Sequence, residues 1–148
     1  MTRNIREQLL QVAGEADIRV YEVEESRREQ LLDDVFRKYN QGHNYAWALW
    51  DSPYFAKNVS RERGDAWEWC GDFVGNQDVV LFFNSLDEEA VFAIPSGGAL
   101  VQILGEMYWS EFYLTDTATD YLLCFNHHDF LIACGRAREW LEHYQPPS

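Results

Sequence analysis

The residues of this chain that could do chemistry are concentrated in the segment Asn126–Asp129 (NHHD), directly after the apolar run YLLCF. Imidazole and carboxylate groups serve as metal ligands and as general acids or bases. His127 and His128 alone would not form a metal site, because the side chains of adjacent residues diverge on a strand. Further ligands would have to come from elsewhere, for example from Glu111, His43 or His143. No HExxH-like spacing is present, so we expect no bound metal and no other cofactor.

The same segment has a purely structural interpretation. In this interpretation Asn126 to His128 form a tight connection at the end of a strand, and Asp129 caps the final helix. His127, His128 and Asp129 then lie at a strand–helix junction, with at least one of them bonded to the backbone. Because loops positioned by rigid elements often carry binding residues, Asn126–Asp129 and Glu111 remain a candidate binding site.

Other motifs are weaker. No GxSxG motif, P-loop or dinucleotide fingerprint occurs, so no catalytic residues are assigned. Ser96-Gly97-Gly98 precedes a predicted helix and could hold an anion, but such a sequence is more often an ordinary turn. Trp47, Trp50 and Tyr54 belong to an irregular aromatic stretch, which either packs against a sheet or forms the centre of a protein interface.

The net charge of the chain, like its aromatic residues, is compatible with a protein-binding function. With 12 Lys+Arg and 25 Asp+Glu, the net charge is −13. This charge repels nucleic acid and anionic membranes and attracts a basic protein, although it can also serve solubility alone. The carboxylate pairs Asp33-Asp34 and Glu88-Glu89 are candidates for the rim of an interface with a basic partner.

Hydrophobic periodicity predicts the elements of the first half. A helix runs from Thr2, its cap, to Ala13 and ends at Gly14, and Ile18–Val23 alternates like a short edge strand. The second helix starts at a Ser26–Glu29 capping box and runs through Tyr39. A polar turn (40–44) follows, then an exposed basic loop (57–64) and a short helix that Asp65 and Glu68 cap and that reaches Phe73.

The second half is richer in predicted strands. Segments 78–84 and 90–94 form a hairpin, and segments 111–115 and 121–125 form two more strands. Between them, Ser96 caps a helix with an apolar face that includes Leu100 and Ile103. The last segment, 129–144, reads as one helix, with a strand over 130–133 followed by a shorter helix as the alternative.

Together these patterns predict one α+β domain over residues 1–148, with an antiparallel sheet and helices packed against it. No apolar run is long enough to span a membrane and no secretory signal is visible, so we expect a cytoplasmic protein. Three cysteines, Cys70, Cys124 and Cys134, are expected to be buried free thiols. The oligomeric state is left open.

The C-terminal third resembles a family of small acidic bacterial proteins of uncharacterised function. The resemblance is carried by EFYLxD (111–116), YLLCFNHHD (121–129), Gly135 and Trp140-Leu141. In size, acidity and aromatic content the chain is also similar to SMI1/KNR4-type immunity proteins. This resemblance implies no catalytic activity. We therefore expect a non-enzymatic protein-binding protein, such as an immunity protein against a basic toxin domain. The alternative is a small metal-assisted hydrolase or ligand-binding enzyme centred on His127 and His128.

Overall fold

A computed structural model of the protein describes residues 4–40 and 51–147. Within these residues a seven-stranded antiparallel sheet lies between two layers of helices. The strands are β1 (Tyr21–Glu22), β2 (Asn58–Glu62), β3 (Val79–Phe82), β4 (Phe92–Ile94), β5 (Phe112–Thr115), β6 (Tyr121–Phe125) and β7 (Phe130–Gly135). The helices are α1 (Ile5–Glu15), α2 (Glu25–Tyr39), α3 (Ser52–Phe55), α4 (Cys70–Val74), α5 (Gly97–Gly105) and α6 (Ala137–His143), with a 3-10 helix (Ala66–Trp69) directly before α4. The predicted α+β class is confirmed.

The sheet has the strand order β1-β4-β3-β5-β6-β7-β2, and every neighbouring pair is antiparallel. Strands β3, β5 and β6 are buried along their whole length, which explains why they read as unbroken apolar runs. Leu123 packs in the core that contains α1, α4, α5 and α6, while its neighbour Cys124 packs in the core beneath α2. The predicted hairpin of segments 78–84 and 90–94 is confirmed, with Val80 opposite Ala93. The two further predicted strands are also confirmed, and they pair with Tyr113 opposite Cys124.

Two helices begin with side-chain caps. Ser96 caps α5 as predicted, because its hydroxyl oxygen accepts a hydrogen bond from the amide of Ala99 at 3.1 Å. Asn4 caps α1, with its side-chain oxygen 2.8 Å from the amide nitrogen of Glu7. The predicted cap, Thr2, lies outside the described residues. The helix continues through Gly14, and the strand predicted after it is limited to the two edge residues of β1.

The predicted Ser26–Glu29 capping box of α2 is wrong. The helix begins at Glu25, and the preceding Glu24 makes no capping bond with its side chain. The amide of Val23 donates to the carbonyl of Val91 at 2.8 Å, so pairing with the sheet extends to within two residues of the first turn of α2. This tertiary contact therefore helps set the start of α2, where local sequence favoured a later start.

The prediction of an exposed basic loop over 57–64 is also wrong, because most of it forms the edge strand β2. The guanidinium of Arg61 donates to the carbonyl oxygens of Leu141 (3.1 Å) and Tyr144 (2.7 Å). It also lies 4.7 Å from the centre of the Trp69 ring. Arg61 therefore ties β2 to the C-terminal end of α6, a role that its charge conceals in the sequence.

The single helix predicted over 129–144 is wrong, and the alternative is confirmed: β7 is followed by the shorter helix α6. Gly135 makes the change of direction between them with a φ of +67°. The helix predicted from Asp65 is divided into the 3-10 helix and α4. Asp65 does not cap it but pairs with Arg63 at 2.7 Å.

Two further predictions concern burial and membranes. The three cysteines are buried free thiols, as predicted. None of the helices in the described ranges is long and apolar enough to cross a membrane. The predicted polar turn after Asn40, together with His43, Trp47 and Trp50, lies in the range 41–50, outside the described residues.

Candidate binding sites

The segment Asn126–Asp129 forms the turn between β6 and β7 rather than a junction with the final helix. The amide of Asn126 donates to the carbonyl of Phe130 at 3.0 Å, which closes the hairpin directly after β6. Asp129 adopts a left-handed conformation with a φ of +67° in this reversal. The predicted capping role of Asp129 is therefore wrong, because the chain turns back into the sheet before α6 begins.

Asn126 holds this turn together. It is 4% exposed, and its side-chain oxygen accepts hydrogen bonds from the amides of His128 and Phe130, both at 3.0 Å. Its side-chain nitrogen, Nδ2, donates to the hydroxyl oxygen of Tyr54 at 3.1 Å. The side chain of Asn126 thus joins the turn to α3, and its role is positional.

The same turn brings His127 next to Glu111, one of the candidate partners named from the sequence. The His127 Nδ1 atom lies 3.5 Å from a carboxylate oxygen of Glu111, and the His127 and His128 rings are 4.0 Å apart. His143, another residue named as a possible source of a further ligand, lies at the end of α6. Over residues 4–40 and 51–147, no three His, Cys, Asp or Glu side chains lie close enough together to hold a metal ion. Within these ranges, the turn offers a carboxylate–imidazole pair.

A cleft of about 350 Å³ lies beside the turn, on the side of the sheet that carries α3. Its polar lining includes Tyr54, Asn58, Ser60 and His128, and its apolar lining includes Phe130 and Ile132. Burial raises the pKa of the half-exposed Tyr54, so the hydroxyl stays neutral near pH 7 and acts through hydrogen bonds. The cleft can therefore hold a small polar group.

The cysteines do not provide a reactive thiol. Burial raises the pKa of Cys134 to about 12 and also raises the pKa of Cys70 and Cys124. The thiolate is the nucleophilic form of cysteine, and it is scarce at neutral pH for all three. These side chains act as core residues.

A larger depression lies between α2 and the β3–β4 connection, and we call it the acidic groove. Its volume is about 610 Å³. Five of its lining residues are acidic: Glu25, Glu29 and Asp33 on α2, and Glu88 and Glu89 on the connection. Its apolar lining consists of Leu32, Phe36, Phe82, Phe83 and Val91. Sequence reasoning identified three of these carboxylates but not the groove, because its two walls are far apart along the chain.

The carboxylates of the groove fall into two groups. Glu88 accepts hydrogen bonds from the amides of Arg6 and Ala90, and Asp33 pairs with Arg37. By contrast, the side-chain carboxylates of Glu25, Glu29 and Glu89 make no hydrogen bond or ion pair with any described residue. Three negative charges are therefore free to interact with a cation. The fourth predicted rim residue, Asp34, is not part of the lining and accepts a hydrogen bond from Gln30 instead.

Next to the groove, Leu86 projects from the β3–β4 connection with 92% of its surface exposed. Its amide donates to the side-chain oxygen of Asn84 at 3.0 Å, and the amides of Asp87 and Glu88 donate to the carbonyl of Asn84 at 2.8 and 3.0 Å. These bonds order the connection before any partner arrives. A large apolar side chain on an ordered loop can serve as an interface anchor at low entropic cost.

We expect the substitution Asn126→Ala to destabilise the protein by about 2 kcal/mol, because two backbone amides and Tyr54 lose their partner. Asn126→Asp retains the acceptor for both backbone amides and exchanges the donor for a carboxylate oxygen to which the Tyr54 hydroxyl can donate, so it should destabilise the protein less. Urea unfolding followed by tryptophan fluorescence measures both values. Equal stability of Asn126→Ala and the wild type would show that the turn does not depend on this side chain.

Comparison with protein-family models, with curated proteins and with solved structures finds no match for the chain. The acidic groove and the cleft at the β6–β7 turn are therefore the two features that bear on function.

Proposed function

We propose that the protein acts by binding a basic protein through the acidic groove, as a cytoplasmic immunity protein neutralises a basic toxin domain. The observation that supports this proposal most strongly is the arrangement of Glu25, Glu29 and Glu89. They lie on two walls of one groove, carry no partner among the described residues, and border an apolar lining. A cationic segment of a partner would satisfy all three.

The overall charge supports the same proposal. A net charge of −13 attracts a basic protein over distances up to about the Debye length, roughly 8 Å at physiological salt. Such steering raises the association rate, while short-range contacts set the lifetime of the complex. An inhibitor of a toxin benefits from both, because it must reach its target before the target acts.

The anchor of the proposed interface differs from the one that the sequence favoured. Tyr54 is 50% exposed, but it belongs to the cleft at the β6–β7 turn and not to the groove. Leu86 is more exposed and adjoins residues of the groove wall. We therefore place the apolar contact of the interface at Leu86, with Asp33, Glu88 and Glu89 at its charged rim.

Affinity capture from the source cells tests this proposal. The bait is the wild-type protein, a groove variant (Glu25→Gln, Glu29→Gln, Glu89→Gln) or a control variant (Glu68→Gln, Glu106→Gln, Glu142→Gln). The control residues are exposed and lie on elements that pack against the opposite face of the sheet. We expect a protein of net positive charge to bind the wild type and the control but not the groove variant. Equal retention by all three baits would contradict the proposal.

A metal-assisted hydrolase or ligand-binding enzyme centred on His127 and His128 is the second candidate. The observation that favours it is the 3.5 Å approach of His127 to Glu111 beside the cleft. The described residues supply no third ligand for this pair. Elemental analysis of the purified protein distinguishes the candidates, since about one zinc ion per chain would favour the enzyme.

A further inference from the structure

We propose that the acidic groove selects arginine over lysine on its partner, an inference that rests on the proposed function and specifies its chemistry. Both side chains carry the charge that the groove attracts. They differ in shape, in hydration and in the number of directions in which they donate hydrogen bonds. The structure of the groove favours arginine in each of these respects.

The carboxylates on the walls of the groove match the donors of a guanidinium group. Glu25 and Glu29 are one helical turn apart on α2, and Glu89 lies on the β3–β4 connection across the groove. A cation between them meets carboxylates from two sides. The planar guanidinium has five donors in a fixed fork and can serve two carboxylates at once, whereas an ammonium group interacts as a point charge.

The apolar lining of the groove also favours a guanidinium group. Leu32 and Phe36 are half-buried and line the groove together with the buried Phe82, Phe83 and Val91. A cation that enters the groove exchanges part of its water for this surface. Guanidinium is weakly hydrated and stacks on aromatic rings, so the exchange is easier for it than for the strongly hydrated ammonium group.

The size of the groove suits a short basic segment. A volume of about 610 Å³ falls within the range of roughly 300–1,000 Å³ that is typical of ligand pockets. The groove can therefore take a short segment with more than one side chain. Arg28, the one basic residue in its described lining, opposes entry of a cation. Its removal should strengthen the binding of any basic segment.

Two synthetic peptides test the inference on the full-length protein. Both are capped nonapeptides in which glycine alternates with a basic residue, arginine in one and lysine in the other. Titration into ¹⁵N-labelled protein maps the binding site, and fluorescence anisotropy gives Kd. We expect the arginine peptide to bind at least about fivefold more tightly, through bidentate pairing and stacking. The shifted amides should include those of Glu25, Glu29 and Glu89.

Substitutions in the groove test which residues cause the preference for the arginine peptide. Phe36→Leu keeps an apolar side chain without the aromatic face, and we expect the preference to fall to about twofold or less. The double variant Glu29→Gln, Glu89→Gln should weaken the binding of the arginine peptide about tenfold, since two charge-assisted contacts are lost. The matched control, Glu106→Gln with Glu142→Gln, should leave both peptides within about twofold of the wild type. Arg28→Gln should tighten the binding of both peptides.

The outcomes separate this inference from the proposed function. Equal affinity for the two peptides, with shifts confined to the groove, would overturn the selection of arginine and leave the binding of a basic partner intact. Shifts outside the groove with both peptides, or no binding of either, would overturn the inference and also count against the groove as the interface. An arginine preference that the Glu29 and Glu89 substitutions leave unchanged would overturn it as well.

Discussion

Charge reversal in the acidic groove (Glu25→Lys, Glu29→Lys, Glu89→Lys) should slow association with the captured basic protein about a hundredfold at low salt. The three side chains carry uncommitted negative charge on the two walls of the groove, so their reversal turns local attraction into repulsion. The effect should shrink as salt rises toward 0.5 M, because screening shortens the range of both forces. Stopped-flow or surface-based kinetics across a salt series measures it.

A control of equal charge change isolates the contribution of position. The variant Glu68→Lys, Glu106→Lys, Glu142→Lys alters the net charge by the same amount on exposed residues in the 3-10 helix, directly after α5 and in α6. We expect its association rate to fall by no more than about fivefold, since only the long-range field of the protein changes. Identical association rates for the two triple variants would show that the partner does not bind at the groove.

The substitution Gly97→Ala should destabilise the fold by about 3 kcal/mol. Gly97 is buried at the first turn of α5, and a Cβ atom there would overlap the backbone carbonyl of Gly71 in α4. Its amide also donates to the carbonyl of Gly75 at 2.8 Å. Because backbone atoms stand on both sides of the contact, no rotation of a side chain can relieve it.

The neighbouring Gly98 provides the matched control. It is exposed in the same helical turn, and a Cβ atom there would meet only the Ser96 hydroxyl oxygen, at 4.0 Å. We expect Gly98→Ala to stabilise the protein by about 0.5–1 kcal/mol, because alanine favours the helix over the unfolded chain. Urea unfolding of the two variants measures the change in the free energy of unfolding, which should be a loss for Gly97→Ala and a gain for Gly98→Ala. Equal stability of Gly97→Ala and the wild type would contradict the close approach of α4 and α5.

These two glycines also show where sequence reasoning succeeds and where it stops. The Ser96-Gly97-Gly98 segment correctly predicted the start of a helix, because the capping bond to Ala99 depends only on local chemistry. The requirement for glycine at position 97 comes from α4, which no local pattern reveals. The start of α2 is similar, since the pairing of Val23 with Val91 outweighs a well-formed capping motif.

The same limit applies to the candidate sites. Local sequence identified Asn126–Asp129 as a connection after a strand, and the fold confirms that position. It could not show whether the chain would return to the sheet or enter a helix, because the residues from Phe130 to Ala133 are compatible with the periodicity of a strand and with that of a helix. The groove was harder to predict, because Glu25 and Glu29 look like ordinary solvated charges until the fold brings them into one groove with Glu89.

Amide hydrogen exchange of the protein, alone and with the captured partner, tests the central claim that the acidic groove is the interface. The proposal predicts slower exchange in the first turn of α2 and in the connection from Asn84 to Val91. The turn Asn126–Asp129 should change little, because it lies apart from the groove lining. Protection of that turn and of Tyr54, with the groove unchanged, would contradict the account and move the interface to the cleft at the β6–β7 turn.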